Sequence, residues 1–157
     1  MTITKEQLAA TLESHAKWLR TRFSANTEGE RADLKGADLK GADLTGADLT
    51  DAVLTDAVLT GADLKGADLK GADLTDAVLT GADLTDADLT DADLTGADLT
   101  GADLTDADLT DADLTGTDLT GADLRILKAS PFVYDAIAAV QSARVALQKT
   151  RIEWLNR

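Results

Sequence analysis

The side chains able to do chemistry are few in kind. The 157-residue chain has no cysteine and one histidine, His15, against 29 Asp or Glu. Without a thiol there is no disulfide framework, no thiolate nucleophile and no cysteine-type zinc site. A lone histidine could act as a general base, but no Ser-His-Asp grouping, phosphate-binding glycine loop or zinc spacing accompanies it. His15 falls on or near the apolar stripe of a helical segment, so a packing or surface role is expected. The carboxylates remain. Twenty-three Asp lie within 32–126 against five Lys or Arg, a net −18, while the flanks carry six acids against ten bases, a net +4. Stacked carboxylates could offer Ca²⁺ its six to eight oxygens. However, the EF-hand pattern and the calcium-binding nonapeptide are both missing. The Asp residues are expected to bond local backbone and solvate a wall. No catalytic residue, cofactor or metal is expected.

What positions those carboxylates is a five-residue phrase said nineteen times from Ala32 to Ile126. Leucine recurs at every fifth place from Leu34 to Leu124, with Ala two places before it except at Thr117. Asp lies between them except at Val53, Val58 and Val78; Thr follows the leucine except at Lys35, Lys40, Lys65, Lys70 and Arg125. A period of five fits neither helix nor strand. On a helix, successive leucines would step by about 140° and wind around the cylinder. On one long strand they would alternate faces. Only a chain that turns a corner every five residues sends every leucine to one place.

This pattern resembles the pentapeptide-repeat family, whose motif centres on Leu or Phe with a small residue two places earlier. The resemblance covers 95 of the residues. It implies an all-β solenoid, a right-handed quadrilateral β-helix of about 4.75 coils with one pentad per side. Leu and Ala point inward and the other three positions outward. With strands stacked about 4.8 Å apart, the rod is roughly 23 Å long. The fifth place makes the corners. Gly41, Gly61, Gly81, Gly101 and Gly121 share one column, where type II turns are expected. Asp51, Asp91 and Asp111 share another with Gly71, and there a different turn type is expected, because Asp tolerates positive φ less well than Gly.

The flanks read as helices. The domain plan is therefore 1–31 as an N-terminal capping helix and connector, 32–126 as the β-helix, and 127–157 as a C-terminal helix. In Thr4–Phe23, Thr4 with Gln7 forms a capping-box pattern. Leu8, Leu12, Leu19 and Phe23 form a stripe suited to covering the first coil. Ser130 before Pro131 is an N-cap signal. Pro131–Leu155 would span about 37 Å, more than a cap needs, so the excess is expected to pack on something else: a symmetric homodimer through this helix, or as the alternative a monomeric cap that folds back along the rod. No signal peptide or membrane-length apolar run is visible, which leads to a cytoplasmic expectation.

A non-catalytic scaffold for an unnamed protein partner follows, with no direct nucleic-acid or membrane binding. Its candidate interaction surface comprises Val53, Val58 and Val78 on the wall, and Val133, Ile137, Val140, Leu147 and Trp154 on the C-terminal helix. The resemblance implies a second reading, since some family members mimic DNA and bind DNA gyrase or topoisomerase IV, conferring quinolone resistance. An acidic rod suits that role. Leu in every pentad, the lack of an interrupting loop and the short rod depart from that type.

Overall fold

The computed structural model describes residues 2–125, 128–131 and 133–139. Helix α1 spans Lys5–Thr21 and starts as expected. The Gln7 amide donates to Thr4 Oγ1 at 3.2 Å, and the Thr4 amide donates to Gln7 Oε1 at 2.9 Å. The helix ends earlier than the sequence suggested, where the Arg22 amide bonds the Trp18 carbonyl. This corrects one assignment. Phe23 lies past the cap and is 92% exposed, so it takes no part in the buried stripe. That stripe runs through Leu8, Leu12 and His15 instead, and only His15 is fully buried.

From Ala32 onward the chain climbs one coil every twenty residues. Bridges join Asp33 to Val53, Val53 to Asp73, and so on in parallel register to Asp103 with Asp123. Twenty residues hold four pentads, so the solenoid has four walls. The first wall starts at residues 32, 52, 72, 92 and 112; the others follow at five-residue steps. Most rungs are single bridges. Longer pairing comes where β1 (Asp108–Leu109) meets β2 (Lys128–Ala129), parallel, with Asp108 opposite Lys128. At the other end Thr2 pairs with Asp38.

A pentad inside the rod with Asp at its second place uses all five of its amides. In the pentad at Ala72, the Asp73 amide reaches back to the Ala52 carbonyl at 3.0 Å. The Leu74 amide reaches forward to Asp93 at 2.7 Å, and the Asp76 amide to Thr95 at 2.9 Å. The Ala72 amide closes the preceding corner onto the Leu69 carbonyl at 3.0 Å. That leaves the residue after leucine, and Thr75 donates to Asp73 Oδ1 at 3.0 Å. Asp bonding to the backbone two residues on is a turn device. It recurs in every pentad that has Asp at this place, with Lys35 and Arg125 among the donors. Val53, Val58 and Val78 cannot accept, so the Thr55, Thr60 and Thr80 amides lack this partner.

The corners correct a second expectation. The second central residue of each turn takes positive φ whether it is Gly or Asp. Asp51, Asp91 and Asp111 have φ of 58°, 59° and 57°, close to the 60° of Gly71. One turn type serves all four corners. Asp is among the few L-residues that visit the left-handed region, and the following Ala amide, bonded to the leucine carbonyl before the turn, holds the corner in that shape.

Inside the square tube the leucines and alanines alternate as expected, and Leu44 to Leu99 are fully buried. Thr117, the one exception to Ala, is also buried; its hydroxyl donates to the Leu94 carbonyl at 2.8 Å, which makes a polar group tolerable there. Val133 and Ile137, in the helical stretch 133–139, belong to the same buried core. Burial is uneven along the rod, so its mutational cost should be too. Leu74→Ala is expected to cost about 2–5 kcal/mol by denaturant unfolding. Leu124→Ala, at a partly buried site, should cost less than half as much. Equal losses would argue against a core that weakens toward its end.

Candidate interaction surface

The outer walls are columns. The residue between Ala and Leu forms one column per wall, the residue after leucine a second, and the corner residue a third. Charge is distributed unevenly over them. Lys35 and Lys40 lie on the first coil and Lys65 and Lys70 on the second; between Lys70 and Arg125 there is no basic residue at all, and fifteen Asp. On the third and fourth walls, Asp83, Asp88, Asp103 and Asp108 alternate with the corner residues Asp86, Asp91, Asp106 and Asp111. Lys70 reaches across one coil to Asp88 at 2.8 Å and forms the boundary of this acidic zone.

Some of the rod's outer carboxylates are held below their ordinary pKa by neighbouring threonines. The Thr100 hydroxyl and amide, with the Thr80 hydroxyl, keep Asp98 below its ordinary value. Thr105 does the same for Asp103, and Thr115 for Asp113. Partial burial works against Asp73, yet Thr75 and Thr55 still hold it low. The Thr55 hydroxyl donates to Asp73 Oδ2 at 2.9 Å, a bond that spans two coils. Among the described residues, no group of three or more His, Asp or Glu is arranged to hold a metal ion.

The apolar candidates fall into two groups. Val58 and Val78 stack as bridge partners on the second wall, and Val53 lies on the first wall between Asp33 and Asp73. All three are half-buried. Val133 and Ile137 are packed into the chain's own core at 1% and 7% exposure, which removes them from any free surface. Val140, Leu147 and Trp154 lie outside the described residues. Sequence reasoning missed the cluster at the end of α1. The Arg22 guanidinium lies 5.1 Å from the Trp18 ring and 5.0 Å from the Phe23 ring, and pairs with Asp51. Two open grooves of about 330 and 310 Å³ flank α1, one beside Ile3, Lys5 and Asp38, the other beside Thr11, Ser14 and Arg31. No helix among the described residues is long and apolar enough to cross a membrane.

Bonds that depress a carboxylate's pKa in the folded state stabilise fully above its unfolded value and are lost as the pH falls through the folded one. The ordinary value is 3.8. The rod's thermal midpoint should therefore hold level down to about pH 4 and fall below it. Circular dichroism on a His15→Gln chain, which keeps the one histidine out of the titration, checks this. A midpoint that drops between pH 6 and 5 would contradict it.

The Pentapeptide repeats family matches the chain in eight copies, over residues 26–51, 32–71, 52–91 and 87–125. No curated protein sequence matches it. Among solved structures, the pentapeptide-repeat protein Rfr23 from the cyanobacterium Cyanothece 51142 is 32% identical, with a TM-score of 0.50 over 71% of this chain and 68% of that one. HetL from Nostoc sp. strain PCC 7120, described as involved in heterocyst differentiation regulation, is 39% identical, with a TM-score of 0.39 over 64% and 53%. QnrB1, a plasmid-mediated fluoroquinolone resistance protein, is 23% identical, with a TM-score of 0.29 over 74% and 72%. At that distance it carries no information on this chain's partner. With leucine inward at every fifth residue and twenty residues per coil, the chain belongs to the pentapeptide-repeat family of right-handed β-helical solenoids.

Proposed function

We propose that this protein is a non-catalytic interaction scaffold whose working surface is the acidic zone on the third and fourth walls, and whose partner presents a basic surface. The observation that carries the reading is that nine of the fifteen Asp between Gly71 and Leu124 fall in the pentads of these two walls, with no Lys or Arg among them. Most of the family Asp places already serve the fold by accepting a backbone bond, but the corner carboxylates Asp86, Asp91, Asp106 and Asp111 do not. A Gly would make the same left-handed turn without strain, so charge is the property these four add. In this reading α1 and the C-terminal helix close the two ends of a four-sided rod of about 4.75 coils. A homodimer through Pro131–Leu155 is part of the proposal, and the mass in solution tests it.

A second reading has one observation in its favour. Carboxylates repeated at the coil spacing of about 4.8 Å present a regular negative edge of the kind a groove built for phosphates accepts. In that case the partner is DNA gyrase or topoisomerase IV.

Replacing Asp86, Asp91, Asp106 and Asp111 by Asn separates charge from fold, because Asn also tolerates positive φ. The fourfold variant should keep the parent's thermal midpoint. It should bind a lysine-rich peptide at least tenfold more weakly at low salt; undiminished binding would overturn the acidic surface. In a gyrase supercoiling assay with and without a quinolone, inhibition or protection at micromolar levels that the variant loses would establish the DNA-mimic reading. No effect would leave the scaffold with another basic partner.

A further inference from the structure

Elsewhere in the rod, each alanine amide closes a corner onto the leucine carbonyl of the pentad before it, as Ala37 does onto Leu34 at 3.0 Å. Ala32 opens the first pentad and has no such leucine behind it. Its amide donates instead to His15 Nδ1 at 3.0 Å. The imidazole stands in for the missing carbonyl and joins α1 to the first coil.

Only a neutral ring can do this, because a ring nitrogen that accepts a hydrogen bond carries no proton. The ring is fully buried and stacks on Trp18, with centroids 5.6 Å apart and planes 14° apart. The groups around it are opposed. Burial acts most strongly and holds the pKa below the ordinary 6.5. Asp48, the Thr50 carbonyl and Asp51 of the fourth wall favour the protonated ring, and Arg22 of the helix end disfavours it. The Thr50 carbonyl does not reach hydrogen-bond geometry with Nε2, which stays buried and unpartnered. Arg22 also pairs with Asp51, drawing off part of that carboxylate's pull. Glu30 and Arg31 on the connector face solvent.

We propose that His15 is an acid-released latch: protonation sets a second N–H against the Ala32 amide, breaks the bond between helix and rod, and frees α1 from the first coil. Release uncovers the apolar side of Leu8 and Leu12 and the backbone edge of the first coil, a surface open to pairing with another strand. The direction follows from proton linkage. A ring that is neutral when closed and ordinary when open gains a proton on opening, so the latch is shut above about pH 6.5 and loosens below it. If the closed ring stays neutral throughout, the opening constant rises at most about 30-fold from pH 7.5 to 5.0.

The single histidine makes the test direct. Proton NMR of the intact chain follows the one imidazole while amide exchange, corrected for its intrinsic pH dependence, reports opening along Leu12–Trp18. Leu74 and Leu94 amides, deep in the rod, serve as the control. The latch predicts a His15 midpoint below 6.5 and an opening constant about tenfold or more higher at pH 5.0 than at 7.5. His15→Gln, whose side-chain oxygen can accept from Ala32 without titrating, should hold opening constant within a factor of two. A His15 midpoint at or above 6.5 would overturn the latch. So would wild-type opening that stays within twofold, or a variant that opens with acid as readily as the wild type.

Discussion

Everything in this molecule depends on closing a corner every five residues without leaving a backbone amide unpaired. A buried or half-buried N–H without a partner costs about as much as a lost hydrogen bond, and a square tube has a corner at every pentad where regular sheet bonding fails. The solution is local. The alanine amide closes the turn onto the previous leucine, and the aspartate carboxylate takes the amide after the next leucine. The other three amides join neighbouring coils. Once the corner is solved chemically, leucine and alanine have only one direction to point, and the core follows.

The same constraint explains the ends. At the first corner the leucine is missing, and a histidine on a helix supplies the acceptor. After the last pentad, Val133 and Ile137 of a helical stretch belong to the same buried core as the leucines. A solenoid interior is saturated by its own repetition, and only its ends need anything else. Among the described residues the buried polar ones are accordingly His15, on the helix before the repeat, and Thr117, the one exception to Ala within it.

The repeat made most of this legible. Period five excludes helix and strand, inward Leu and Ala follow, and Thr4 with Gln7 marks the helix start. The corner aspartates misled because Asp's intrinsic reluctance toward positive φ suggested another turn, whereas the turn bond onto the preceding leucine and the ladder between coils outweigh a cost of about 1–2 kcal/mol. Phe23 misled because helical spacing says nothing of where a helix stops. The role of His15 was invisible in principle: its partner is an amide seventeen residues away, and no pattern in the chain announces which amide lacks an acceptor. The acidic zone could be read from the sequence; that its corner carboxylates stand apart from the backbone bonding could not.

The central claim is that aspartate at the place before leucine serves the backbone first and the surface second. Residue-resolved amide exchange of the intact protein tests it. The account predicts that the Thr55, Thr60 and Thr80 amides, which follow Val53, Val58 and Val78, exchange at least tenfold faster than those of Thr75, Thr95 and Thr100, while the leucine amides beside them remain equally slow. If all six threonines exchange alike, the carboxylate is not what closes the corner, and the Asp columns must be explained by the surface alone.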